Sequence, residues 1–145
     1  MSFTYQLQKV LEIKEYEKAA AEKEFSDSVR SFEESAKELY AMLKRREELI
    51  DQTQQQIMQG MSIAFIQQNE QTISFLEQEI GKLQKITQKA RREMQEKESF
   101  LTVKSVDLKK YERMKEIEFE RYVEHEKQEE MKFLDEVSVN QFIRR

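Results

Sequence analysis

Proline is absent from the 145 residues and glycine occurs only at Gly60 and Gly81, so the two residues that most readily interrupt a helix are all but missing. An all-α chain is the default expectation. Tryptophan is absent too, and hydrophobic residues reach only 38% against 37% charged, too little apolar material for a core several side chains deep. A narrow seam between helices needs less. The lack of cysteine excludes disulfides and thiolate metal sites and fits a reducing compartment, so a cytoplasmic protein is expected. No stretch approaches a membrane span, and Lys9, Glu12 and Lys14 interrupt the N-terminal apolar stretch that would otherwise mimic a signal-peptide core. Nor is there an excess of positive charge. The 25 Lys and Arg are interspersed with 29 Asp and Glu, which argues against nucleic acid, whose phosphates call for a concentrated basic face.

What is present is periodicity. From Phe25 the apolar positions run Phe25, Val29, Phe32, Ala36, Leu39, Leu43, then Arg46, Ile50, Thr53 and Ile57, an alternating four-three spacing. A second run, Ile66, Asn69, Ile73, Leu76, Ile80, Leu83, Thr87, Ala90, Met94, Lys97 and Leu101, keeps the same spacing, and Leu108 and Tyr111 extend it past Lys104. Both are heptad seams of the kind that join helices in a coiled coil.

The seams flank Gln59-Gly60-Met61-Ser62, where Gly60 can take a left-handed C-terminal cap and Ser62 can cap the next helix. Folding back there pairs residues whose numbers sum to roughly 121, setting Leu39 near Leu83 and Phe32 near Ala90, large against small. The expected fold is therefore a long antiparallel two-helix coiled-coil hairpin forming a single domain. Its first helix covers about 3–58, the turn about 59–62, the second helix about 63–136 and a C-terminal tail about 137–145. A continuous helix in a parallel dimer is the alternative, but its seam would have to keep phase through the glycine. A first helix ending near Ile57 would be on the order of 85 Å long, and the longer second helix would leave an overhang beyond about residue 118.

Catalytic and ligand chemistry have no residues to carry them. His125 is the only histidine, and a lone imidazole cannot supply the nitrogen ligands a transition-metal site needs. Adjacent glutamates such as Glu47 and Glu48 point about 100° apart on a helix and belong to a solvated surface. With two glycines there is no phosphate-binding loop, and the basic clusters at Lys44-Arg45-Arg46 and Arg91-Arg92 sit beside acids. No enzyme, cofactor, metal or small-molecule substrate is expected.

Some apolar residues fall outside the seam. Near the N-terminus Lys14 and Glu17 occupy the expected seam phase, while Leu11, Ile13 and Tyr16 point elsewhere, so the heptad stutters. The overhang shows a similar excess in Ile117, Phe119, Tyr122, Val123, Met131, Phe133, Leu134, Val137, Val139, Phe142 and Ile143. Such residues either pack the C-terminal segment on the N-terminal arm or form a partner surface. Tyr40, Met42, Leu49 and Phe75 lie just off the seam and either widen it or form a lateral dock.

End to end, the chain resembles the flagellar export protein FliJ family. The resemblance is carried by the opening Phe3-Thr4-Tyr5-Gln6-Leu7-Gln8-Lys9-Val10-Leu11-Glu12-Ile13-Lys14-Glu15, the turn Gly60-Met61-Ser62, the segment Ile73 to Ile80, and the ending Met131-Lys132-Phe133-Leu134-Asp135-Glu136 with Gln141-Phe142. It implies a fold similar to the central stalk (gamma) subunit of rotary ATPases, and a cytoplasmic protein peripherally associated with the inner-membrane flagellar type III export apparatus. The implied partners are the hexameric flagellar export ATPase, whose assembly and activity the stalk promotes, the cytoplasmic domain of the export-gate membrane protein, and export chaperones that the stalk recycles. On that reading Phe3, Leu7, Leu11, Ile13, Phe119, Tyr122, Val123 and Phe133 form the ring-binding end. Position relative to the hairpin glycine places the gate contact at Met42, Leu49, Leu76 and Leu83, on a face that also carries Arg45, Thr72 and Glu79. A stalk of a virulence type III secretion system and a generic coiled-coil scaffold or chaperone are the alternative functions.

Overall fold

The computed structural model describes residues 2–144, which form two helices, α1 (Gln8–Met58) and α2 (Ile63–Arg144), with no strand among the described residues. The packing divides into two units to which both helices contribute, one formed by Ala21–Leu101 and the other by Met1–Ala20 with Thr102–Arg145. In each unit the two helices pack against one another in antiparallel fashion.

The hairpin unit, Ala21–Leu101, is closed by backbone chemistry at its turn. Gly60 has φ of 82°, a left-handed conformation that costs an L side chain energy and glycine almost none. That conformation lets the Gly60 and Met61 amides donate to the Ile57 and Gln56 carbonyls at 3.2 and 3.1 Å, the paired bonds of a Schellman closure. Ser62 then caps α2, its hydroxyl accepting from the Phe65 amide at 3.4 Å. Two helices end and begin within four residues because each orphaned terminus finds a local partner.

Burial along the unit follows the heptads. Ala21, Thr53, Leu76, Ile80, Leu83, Thr87 and Ala90 are buried, and Phe25, Val29, Phe32, Ala36, Leu39, Leu43, Ile50, Ile66, Ile73, Met94 and Leu101 are half-buried. Ile57, the last seam position before the turn, is exposed. Each leucine or isoleucine taken fully from water contributes about 1.5–3 kcal/mol. No described side chain is shielded below 2% exposure, as expected where a seam has helices on only two sides. Between the helices, Lys97 Nζ lies 3.1 Å from Glu24 Oε2, and Asn69 Nδ2 donates to Gln56 Oε1 at 2.9 Å near the turn.

The terminal unit is built differently. Its core is Tyr5, Leu11 and Leu108, all buried, with Phe3, Leu7 and Tyr111 packed against them. Tyr5 donates its hydroxyl proton to the Tyr111 carbonyl at 3.1 Å, and burial is the first cause that raises its pKa above 10.0. Phe3 meets Phe119 edge-on, with ring centroids 5.3 Å apart, and Tyr122 at 5.5 Å. These long-range contacts hold residues 2–7 as a non-helical strap across α2, so α1 starts at Gln8 and not near residue 3. At the other end α2 continues to Arg144 and does not give way to a tail after 136. No glycine or proline stands there to stop it.

The heptad stutter at Lys14 is a layer of charge. Lys14 Nζ lies 2.8 Å from Asp107 Oδ2, 3.7 Å from Glu17 Oε2 and 5.9 Å from the centre of the Tyr111 ring, while Lys104 Nζ reaches Glu17 at 3.1 Å. The hydrogen bond between Lys14 and Asp107 is the main cause that raises the lysine pKa above 10.5 and lowers that of the aspartate below 3.8. Asp107 therefore adds stability above pH 3.8 that is lost as pH falls through its lower folded value, and Lys14 adds stability below pH 10.5 that is lost as pH rises through its higher one. Asp107→Asn should lower the melting temperature by an amount that is level between those limits and shrinks toward either extreme. Circular-dichroism melts of both proteins across pH would check this, and a difference that persisted unchanged into strong acid would rule out the ion pair as its source.

Candidate partner-binding surfaces

Of the residues singled out in the terminal unit, Phe3 and Leu7 lie on the strap, Leu11 and Ile13 at the start of α1, and Phe119, Tyr122, Val123 and Phe133 on α2. Leu11 lies in the core with the half-buried Phe3 and Leu7 packed against it, Tyr122 and Val123 are half-buried, and Ile13, Phe119 and Phe133 are exposed. Phe3, Phe119 and Tyr122 form one aromatic cluster. Phe133 stands apart from it, in a stretch where every residue from Lys127 to Arg144 except Val137 is exposed. Within that stretch Met131, Phe133, Leu134, Val139, Phe142 and Ile143 present large apolar side chains to solvent, a heavier apolar load than a solvated helix needs.

In the hairpin unit, Met42 and Leu49 are half-buried on the flank of the seam, seven residues apart and thus on one face of α1. Tyr40, two residues before Met42 on α1, and Phe75 on α2 are exposed. Leu76 and Leu83, at seam positions of α2, are only 5% and 8% exposed and offer a partner little surface. Phe75 borders an open groove with Gln67, Glu70, Gln71, Ser74 and Gln78, about 670 Å³ in volume.

Heptad reasoning passes over one further surface, the turn itself. Ile57, Met58, Met61, Ile63 and Phe65 are all exposed there, Met58 at 88%. Its signal in the sequence is one of charge: the 18 residues from Gln52 to Asn69 contain no Asp, Glu, Lys, Arg or His. In a chain that is 37% charged, such an interval marks a neutral end capped by apolar side chains.

The model of the family described as "Flagellar FliJ protein" matches residues 3–145. The chain belongs to the FliJ family. A curated relative, the flagellar FliJ protein of Bacillus subtilis (strain 168), is 34% identical over 143 residues, which cover 99% of this chain and 97% of that one. Among solved structures, CT670 of Chlamydia trachomatis, described as a YscO homolog, superposes with a TM-score of 0.73 over 94% of this chain and 93% of its own. At 22% identity that likeness bears on the fold alone. Membership of the FliJ family makes the chain a component of flagellar protein export, in a family of structural and not enzymatic proteins. No helix among the described residues is long and apolar enough to cross a membrane.

Proposed function

We propose that the chain is a non-catalytic stalk of the flagellar type III export apparatus, acting in the cytoplasm at the inner membrane. Its terminal unit binds the centre of the hexameric export ATPase and promotes assembly and hydrolysis. Its hairpin unit contacts the cytoplasmic domain of the export-gate membrane protein, and the chain also receives and recycles export chaperones. The observation that carries the ring assignment is the uncovered end of α2, which is apolar on more than one face from Met131 to Ile143. A free coiled coil has use for one apolar stripe, whereas a helix inside a ring of subunits is met from all sides. The surrounding charge supports the same reading, with ten acids against five Lys and Arg between Glu112 and Glu136, a field that attracts a basic pore lining. Adding the protein to its cognate ATPase should promote ring assembly and raise hydrolysis, and no change in either would sink the stalk reading.

The gate contact centres on Met42 and Leu49, the two apolar residues of that face that combine partial exposure with a flank position. Met42→Asp or Leu49→Asp should weaken binding to the gate's cytoplasmic domain by roughly tenfold or more, because a buried charge at an apolar contact is not compensated. Far-ultraviolet circular dichroism should stay nearly unchanged, since neither side chain lies at the centre of the seam. Undiminished binding by both variants in a pull-down or interferometry assay would move the dock away from this face, with the charge-free turn as the next surface to test.

A further inference from the structure

The strap, α1 and α2 together enclose a groove of about 570 Å³, lined by Phe3, Leu11 and Phe119 and by Glu15, Glu112, Lys115 and Glu116. Its apolar part is aromatic and open, since Phe119 is 49% exposed. Two of its charged residues are already engaged: Lys115 Nζ donates to Gln8 Oε1 at 2.9 Å, and Glu116 accepts from Arg113 at 2.9 Å. The other two are not. Glu15 on α1 and Glu112 on α2 are both exposed and have no ion-pair or hydrogen-bond partner among the described residues. The groove thus offers two carboxylates without a bonded partner, one from each helix, beside exposed phenyl surface, and the one cation in its lining, Lys115, is turned to the neutral Gln8 amide.

We propose that this groove receives an arginine side chain from the inner surface of the ATPase ring, its guanidinium lying on Phe119 and hydrogen-bonded to Glu15 and Glu112. The proposal rests on the ring-binding reading above and specifies the chemistry of that contact. Arginine fits for three reasons. Its planar cation is weakly hydrated and stacks on aromatic faces, as the Phe119 ring requires. It carries five N–H donors in a rigid fork, so one side chain can satisfy carboxylates approaching from two helices, which a lysine ammonium does less well. Its three-methylene stem can cover the accessible part of Phe3 on the way in. A neutral apolar side chain would leave both carboxylates beside a contact they do not share, and an acidic one would be repelled. The strap is part of the device, because Phe3 supplies one wall and is held in place by Phe119 and Tyr122.

The test is equilibrium binding of the full chain to its cognate export ATPase, measured by interferometry over roughly 0.05 to 0.5 M salt. Wild type should bind less tightly as salt rises. Glu15→Gln with Glu112→Gln should bind roughly tenfold more weakly at low salt and show a much flatter salt dependence, because the charge-assisted bonds are gone while the shape is kept. Phe119→Ala should weaken binding and leave the salt slope, and Glu70→Gln, in the hairpin unit, should match wild type. Wild-type affinity and slope in the double variant would overturn the arginine proposal and leave the ring reading standing, whereas a wild-type chain that failed to bind the ATPase would remove both. Unchanged affinity in Phe119→Ala would remove the stacking contact and with it the preference for arginine.

Discussion

A chain cut after Glu118 is expected to lose its stimulation of the export ATPase altogether while keeping its affinity for the gate. The cut removes Phe119 and Tyr122, the ring partners of Phe3, and the whole exposed stretch beyond Lys127. It leaves the hairpin unit, Ala21–Leu101, with its turn and seam complete. A second cut, after Glu130, separates the two losses. It keeps the aromatic cluster and the groove and removes only the uncovered apolar end, so it should reduce stimulation by roughly tenfold without disturbing the strap. Hydrolysis measured against added protein would give both values, with circular dichroism showing that helicity falls only by the residues removed. If the chain ending at Glu118 stimulated hydrolysis as well as the intact one, the end of α2 would not face the ring and the assignment of Phe119, Tyr122, Val123 and Phe133 would have to be withdrawn.

The hairpin was legible because its determinants are local or periodic. With no proline and two glycines, a four-three spacing of apolar residues has one simple solution, and the burial of Leu76, Ile80, Leu83, Thr87 and Ala90 follows that spacing residue by residue. The terminal unit was less legible because its determinants are distant in sequence. Nothing near Tyr5 announces that its hydroxyl will find the carbonyl of Tyr111, 106 residues away, yet that bond and the Phe3 ring contacts decide where α1 begins. Charge misled in the same region: Lys14 and Glu17 at seam phase read as a fault in the heptad, and only the pairing with Asp107 and Lys104 turns the fault into a layer.

The face expected to meet the gate illustrates a different limit. Position relative to the turn grouped Leu76 and Leu83 with Met42 and Leu49, and a heptad pattern alone does not say how much of each side chain a partner can reach: the structure buries the two α2 leucines. The neutral turn was missed for the opposite reason. Hydrophobic periodicity ends there, and the informative quantity is the absence of charge over Gln52–Asn69, which no helical template weighs.

Leu39→Pro should destabilise the hairpin unit by about 3 kcal/mol or more, against about 1 kcal/mol for Gly60→Ala. Leu39 lies inside α1, where proline removes an amide donor, forces its ring against the carbonyl one turn back, and truncates a half-buried seam side chain. At Gly60 the cost is confined to a left-handed backbone, because a β-carbon there would meet nothing within 4 Å. The contrast matters because a seam with no side chain fully shielded has little stability in reserve, and a loss of several kcal/mol is comparable with the total of a small domain. Urea unfolding followed by helicity would rank the two variants. Spin labels at positions 32 and 90, both in the hairpin unit, should lie close within one molecule of wild type and of Gly60→Ala, and the short distance should be depleted in Leu39→Pro. A short distance that appeared only between molecules, vanishing when labelled protein is diluted with unlabelled chain, would mean that the seams pair between copies and that the turn at Gly60 does not close the hairpin in solution.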